Sequence, residues 1–305
     1  MNNVLSTRIK IFRNIKELKF ENKLTEEQKQ QIIDLLQNAL KNDMSYLNLP
    51  SADAKVISYL KSNDLIIGKT QNVFVSKKDC LAINMFIGEH ISIISTCEGY
   101  DKKVITKAID LSHDMSNKIN FAYNDEFGYL MSDLNKIGTG IQIESNIMLS
   151  AIKSINKIDQ LRQNVAKLGY SLNETKFPAV YTLSTRCNLG ISEKKICEDF
   201  ENTLIKLQEL EIESVKMLDV SNHDEMLDKS QRSMAILSSA HLLNYDELYN
   251  IIVNLRMGTN LGIVNIETEK LNKLQKLITN KTNDIATQSE FKQLAEKAKA
   301  ILKGE

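Results

Sequence analysis

The chain has 305 residues, 42% of them apolar and 26% charged, which is enough to close one large core or two modest ones and excludes a disordered chain. Its 39 Lys and Arg balance 39 Asp and Glu, so there is no global basic excess of the kind nucleic acid would favour. No apolar run approaches the ~18 residues of a membrane span, and the first residues carry no signal-peptide core.

The four cysteines, Cys80, Cys97, Cys187 and Cys197, form no Cys-x-x-Cys pair and the histidines are scattered. This usage predicts no metal site and suits a reducing, cytoplasmic setting. In chain order, residues 4–15 alternate in part, with Ile9, Ile11 and Ile15 between Arg8, Lys10 and Arg13, and predict a strand bearing a row of cations. Thr25-Glu26-Glu27-Gln28 predicts a capping box, followed by Ile32, Ile33, Leu35, Leu36, Ala39 and Leu40 at helical spacing. A short helix is expected over 52–61. Three short strands are expected over 72–76, 81–86 and 91–96, the last two as a hairpin around Gly88-Glu89. A helix over 100–120, a turn at Asn124-Asp125-Glu126, an apolar helix over 147–158 and a strand over 180–183 follow. Beyond Ser192 the spacing is helical throughout. Ile196, Phe200, Leu204, Leu207 and Leu210 mark one helix, and others are expected over 226–243, 245–257, 268–278 and 289–302. The pattern predicts an α+β part, residues 1–215, with a largely antiparallel sheet flanked by helices, followed by a helical part, residues 216–305, suited to dimerisation.

Several motifs occur in order over almost the whole chain. They are Ser6-Thr7-Arg8-Ile9-Lys10-Ile11-Phe12-Arg13-Asn14, Glu89-His90-Ile91-Ser92-Ile93, Asn124-Asp125-Glu126-Phe127-Gly128-Tyr129-Leu130-Met131-Ser132 and Asn135-Lys136-Ile137-Gly138-Thr139-Gly140. Tyr181-Thr182-Leu183-Ser184 with Leu189-Gly190, Ala235-Ile236-Leu237, and Leu255-Arg256-Met257-Gly258 complete the set. Together they resemble the guanidino (phosphagen) kinases and, within that family, the bacterial protein-arginine kinases that work beside the Clp protease system. The resemblance implies a guanidino-kinase-like catalytic fold followed by a helical domain. It also implies transfer of the terminal phosphoryl group of ATP, with magnesium, to a guanidinium group.

By the same resemblance Arg8, Lys10 and Arg13 are candidates for a phosphate cradle, with Lys10 where the family pattern has arginine. His90, Gln142 and Arg186 are further candidate nucleotide contacts. Glu89 and Asp133 are the candidate catalytic carboxylates, Asp133 standing where the family has its active-site cysteine. Planar, permanently charged guanidinium groups suit phosphate, and a carboxylate must orient the acceptor and take its proton. The chain departs from the family where this chemistry is concentrated. Ile87 and Gly88 replace two carboxylates, Ser92 and Gln142 replace two phosphate arginines, and Glu144 adds an opposing charge. The glycine-rich loop expected before the last strand is replaced by the shorter residues 171–178, stiffened by Pro178. Near the C-terminus, residues 295–300 lack the arginine forks of the family's phosphoarginine-binding motif.

Three readings stand on this sequence. In the first, the chain is a catalytically inactive homologue of protein-arginine kinase with a regulatory or protein-binding role and no required cofactor. Its partner is a second copy, an active kinase homologue or its adaptor, or a Clp-related client. In the second, it is an active protein-arginine kinase with a rebuilt site, requiring ATP and magnesium. In the third, it is an unrelated oligomeric scaffold built on its long helices. The simultaneous replacements at Gly88, Ser92, Asp133 and Gln142 favour the first.

Overall fold

Alternation sets the centre of the fold. In β1 (Val4–Arg13), Ile9 and Ile11 are fully buried on one face while Arg8 and Lys10 fall on the other. The computed structural model describes residues 3–186, 189–279 and 288–304; Cys187 lies outside them. After β1 come α1 (Glu26–Leu40), β2 (Met44–Asn48), α2 (Ala54–Ser62), β3 (Asn72–Ser76), β4 (Leu81–Met85), β5 (Ile91–Glu98) and α3 (Lys102–Ser116). A small hairpin, β6 (Tyr123–Asn124) and β7 (Gly128–Tyr129), precedes β8 (Ile141–Met148), α4 (Ser150–Ser154), α5 (Ile158–Lys167), β9 (Tyr170–Glu174) and β10 (Val180–Thr185). Eight of these strands form one antiparallel sheet in the order β2-β3-β4-β5-β1-β8-β10-β9.

The capping box expected at α1 is present: Thr25 Oγ1 accepts from the Gln28 amide at 3.2 Å and Gln28 Oε1 accepts from the Thr25 amide at 3.0 Å. The helix expected over 147–158 is a correction. Ile147 and Met148 end β8, and two short helices follow. Ile141, Ile143, Ser145 and Ile147 are buried while Gln142, Glu144 and Asn146 are only partly so, a period of two that lets β8 pair with both β1 and β10.

One face of the sheet packs on α3 and on the start of α6 (Glu193–Ser239), with Ile11, Ile93, Ile105, Met115, Phe200 and Leu204 in a common core. On the other face a smaller cluster, Leu49, Leu60, Leu65, Val73, Ala82 and Ile94, lies beneath α2 and the segment after it. That cover spans β3 to β5 and leaves a cleft over β1, β8 and β10.

The helix α6 runs for 47 residues, with one non-helical residue, Asn222, where φ is −143° and ψ 37°. Two separate helices are expected there from the sequence, and the structure has two helical stretches that meet at this kink. With α7 (Tyr245–Asn260), α8 (Thr268–Thr279) and α9 (Gln288–Lys303), it forms a second core around Leu237, Leu248, Ile252, Leu271 and Leu294. Leu5, Met148 and Val180 of the sheet join that core. A carboxylate also ties the two regions: Glu211 of α6 is buried and accepts from the amides of Ala151 at 2.7 Å and Ile152 at 3.0 Å at the start of α4. At the crossing of α6 and α7, a methyl group on Gly258 would lie 2.5 Å from Ser230 Oγ. Gly258→Ala is therefore expected to lower the urea midpoint, by about 1–3 kcal/mol of stability; an unchanged midpoint would mean that the crossing opens without cost. Among the described residues no helix is long and apolar enough to cross a membrane.

Candidate functional site

The cleft floor is made by alternate residues of neighbouring strands. β1 supplies Ser6, Arg8 and Lys10, and β8 supplies Gln142, Glu144 and Asn146. The register sets Arg8 opposite Glu144 and Lys10 opposite Gln142. Glu144 consequently reaches both cations. Its Oε2 accepts from Arg8 Nη2 at 2.7 Å and Nε at 3.2 Å, and its Oε1 accepts from Lys10 Nζ at 2.6 Å. Burial opposes ionisation of Glu144, but Lys10 and Arg8 outweigh it and hold the carboxyl below its ordinary range. Burial also pushes the Lys10 ammonium down; Glu144 pulls it back, while Arg8 and Lys136 press in the same direction as burial. A cavity of about 430 Å³ opens beside Arg8 and Glu144, closed on its far side by Asp64 and by Lys276 of α8, which pairs with Glu98 at 2.5 Å.

Arg13 stands an odd number of residues from Arg8 and so faces the opposite side of the sheet. It is fully buried. Its Nη1 donates to the carbonyls of Phe12 at 2.7 Å and Thr139 at 2.9 Å, and its guanidinium lies 3.5 Å from the centre of the Tyr129 ring. Gly140, at φ +64°, passes so close that a Cβ there would sit 2.8 Å from Arg13 Nη1 and 2.8 Å from the Phe12 carbonyl. The Gly-Thr-Gly turn is thus packed against a buried arginine.

Glu89 and His90 are likewise fully buried, joined through Asn14. Asn14 Nδ2 donates to Glu89 Oε2 at 2.6 Å, and its Oδ1 accepts from the His90 amide at 2.9 Å. The Ser132 amide lies 3.1 Å from both Glu89 oxygens, and the Ser132 hydroxyl lies 2.8 Å from Oε1. Glu89 therefore fastens the loop at 131–133 to the end of β1. On His90, Nδ1 accepts from the Ile15 amide at 2.9 Å, which leaves Nε2 to donate to the Lys19 carbonyl at 2.7 Å. The bond accepted at Nδ1 requires the neutral ring, and burial lowers the pKa in the same sense, outweighing the Lys19 carbonyl, which favours the charged form.

Asp133 caps a one-turn 3-10 helix. Its Oδ1 accepts from the Asn135 amide at 3.0 Å and from Asn135 Nδ2 at 3.1 Å, and Lys136 Nζ lies 3.7 Å from Oδ2. Gly88 is open, with nothing within 4 Å of where its side chain would begin. Ser92 is fully buried opposite Phe12 and Asn84, and Asn84 is held by the Leu65 carbonyl and the Ile67 amide. Arg186 is exposed just beyond β10.

The structure therefore brings Arg8, Lys10 and Gln142 together, and separately Glu89, His90 and the backbone of Asp133. It does not bring Arg13 into the cleft. Lys136, whose ammonium sits 4.2 Å from the Phe12 ring centre, and the hub Asn14 belong to the neighbourhood without being singled out from the sequence. Both lie inside recognisable motifs. Lys276 has no local signal, because only the folding of α8 against β5 brings it there.

This sheet, with its helical layer, is the fold of the guanidino kinases. The taurocyamine kinase of Schistosoma mansoni superposes with a TM-score of 0.63 at 20% identity, covering 69% of this chain; the chain spans only 33% of that duplicated protein. Lombricine kinase superposes with a TM-score of 0.60 at 17% identity, over 68% of this chain and 66% of its own. Residues 3–214 match the ATP:guanido phosphotransferase C-terminal catalytic domain, and residues 223–302 match the protein-arginine kinase McsB C-terminal domain. The chain belongs to the ATP:guanido phosphotransferase family. Similar curated proteins include the protein-arginine kinase of Clostridium botulinum, 26% identical over 291 residues, covering 89% of this chain and 85% of that one. That of Caldanaerobacter subterraneus is 27% identical over 302 residues, covering 89% and 86%.

Proposed function

We propose that this chain is a non-catalytic member of its family, acting as a regulatory, protein-binding homologue of protein-arginine kinase. The observation that carries the reading is the state of Glu89. It is fully buried, and both its oxygens face donors of Asn14 and Ser132, so the carboxylate is spent on fastening the loop at 131–133 and is shielded from an acceptor guanidinium. The next carboxyl along, Asp133, is committed to a turn. ATP with magnesium, the group the family implies, matches the donor set poorly. Arg8 and Lys10 are paired with Glu144, positions 92 and 142 carry uncharged side chains, and Arg13 faces away. The protein-binding part of the reading is supported by apolar side chains that α6 leaves exposed, Leu210, Met217 and Val220, the last of them 90% exposed. By analogy with the family, the partner is a second guanidino-kinase-like chain or its adaptor.

The test is transfer of label from γ-labelled ATP with magnesium to a mixed protein substrate. No acid-labile phosphoarginine above background is expected. Transfer that disappears in Arg8→Ala and Lys10→Ala would establish the opposite reading, an active kinase with a rebuilt site.

A further inference from the structure

We propose that Glu144 is a built-in anion that occupies the cleft's own phosphate-binding cations, and that removing it uncovers a site for polyphosphate. The inference rests on the non-catalytic reading above and says what keeps the same cleft closed. Three contacts of 2.6–3.2 Å place an arginine fork on one carboxylate oxygen and an ammonium on the other. Two cations each taking a separate oxygen of one anion is how proteins hold phosphate. The side chains of Lys10 and Glu144 are each only 13% exposed, so the pairing is screened less than a surface ion pair. Lys136 adds a third positive charge close enough to depress Lys10. Room for a larger anion exists beside Arg8, in the cavity of about 430 Å³ whose lining also carries Asp64 and the Lys276–Glu98 pair; Lys10 stands behind Glu144, outside that lining. What an incoming phosphate meets is the Glu144 carboxylate already in the cation fork. Like charges brought together in a partly buried site repel strongly. With glutamine at position 144 that repulsion goes, the side chain keeps its size, and Arg8 and Lys10 retain their places on β1.

Isothermal titration calorimetry with inorganic tripolyphosphate, and separately with magnesium-free ATP, tests this on the full chain. Wild type is expected to give no measurable binding at millimolar ligand. Glu144→Gln and Glu144→Ala are expected to bind tripolyphosphate at least about tenfold more tightly, the gain expected from removing one opposing charge. Glu144→Gln combined with Arg8→Ala should lose that gain. Thermal unfolding verifies that each variant is folded. Submillimolar binding by the wild type overturns the proposal, a result that does not depend on the variants folding. So does a folded Glu144→Gln that binds no better than wild type. Phosphoryl transfer by the wild type would instead overturn the non-catalytic reading. A wild type silent in transfer, with a Glu144→Gln variant that ignores tripolyphosphate, overturns the present inference alone.

Discussion

Replacing Glu89 with alanine is expected to lower the free energy of unfolding by about 2–3 kcal/mol. The carboxylate is fully buried and receives Asn14 Nδ2 at 2.6 Å and the Ser132 amide and hydroxyl at 3.1 and 2.8 Å. Alanine would leave one Asn14 N–H and the Ser132 amide without this acceptor, while Asn14 Nδ2 keeps the Leu130 carbonyl at 3.1 Å and the Ser132 hydroxyl keeps the Gly88 carbonyl at 2.7 Å; each orphaned group costs about 1–3 kcal/mol. Asn14 would lose one of its anchors, and with it the contact to the His90 amide would loosen. Glu89→Gln retains one acceptor but turns an NH₂ group toward existing donors, so about half the loss is expected. Urea denaturation measures both. An exposed catalytic carboxylate would behave differently, its removal costing less than about 1 kcal/mol; a loss that small would undercut the structural role assigned to Glu89.

The second large effect is a pH dependence written into Glu211. Burial raises its pKa from 4.5 to about 7, against the pull of the Ala151, Ile152 and Ser150 amides. Because the folded value lies above the unfolded one, the folded protein holds a proton that the unfolded chain gives up between these two values. The stabilisation is complete below about pH 4.5, declines as pH rises, and is gone above about pH 7, a change of about 3 kcal/mol. His90 works in the other direction. Burial depresses its pKa, so its contribution is present above about pH 6.5 and lost as pH falls. The informative quantity is therefore the stability of wild type minus that of Glu211→Gln, measured by urea denaturation from pH 5 to pH 8. The difference should shrink up to about pH 7 and level off above it. A flat difference would mean that Glu211 stays ionised throughout and acts only as a fixed cap on α4.

Much of this architecture was readable from local pattern. The hairpin of β4 and β5, the capping box of α1 and the helices α7 to α9 follow from turn residues and apolar period, because each is decided by neighbours in sequence. β8 was harder. Its alternation of Ile141, Ile143 and Ile147 with Gln142, Glu144 and Asn146 is a strand signal, but it runs into the apolar stretch at 147–158, which imitates a helix. β2 and β9 carry still less pattern of their own, and their place at the sheet edges comes from tertiary pairing. The cleft divides in the same way. That Arg8 and Lys10 share a face is a matter of parity within β1. Parity also separates Arg13 from them, so grouping all three into one cradle conflicts with the strand period itself. What no local reading supplies is the register across strands, and the register alone places Glu144 between two cations 134 and 136 residues away.

The long helix α6 fixes a phase as well as a distance. Phe200 and Leu204 are seated in one core and Leu237 in the other, on two helical stretches that meet at the Asn222 kink. Each residue of an α-helix turns it by about 100°. Adding or deleting a single residue inside either stretch would swing the side chains beyond it in that stretch about a quarter-turn out of their seats, whereas an insertion of seven, close to two full turns, would nearly restore the alignment. The residue count of each stretch acts as a gear setting for the core it serves, so that length changes inside a stretch are tolerated in steps of whole turns, and the kink at Asn222 is where a single added residue disturbs the phase least.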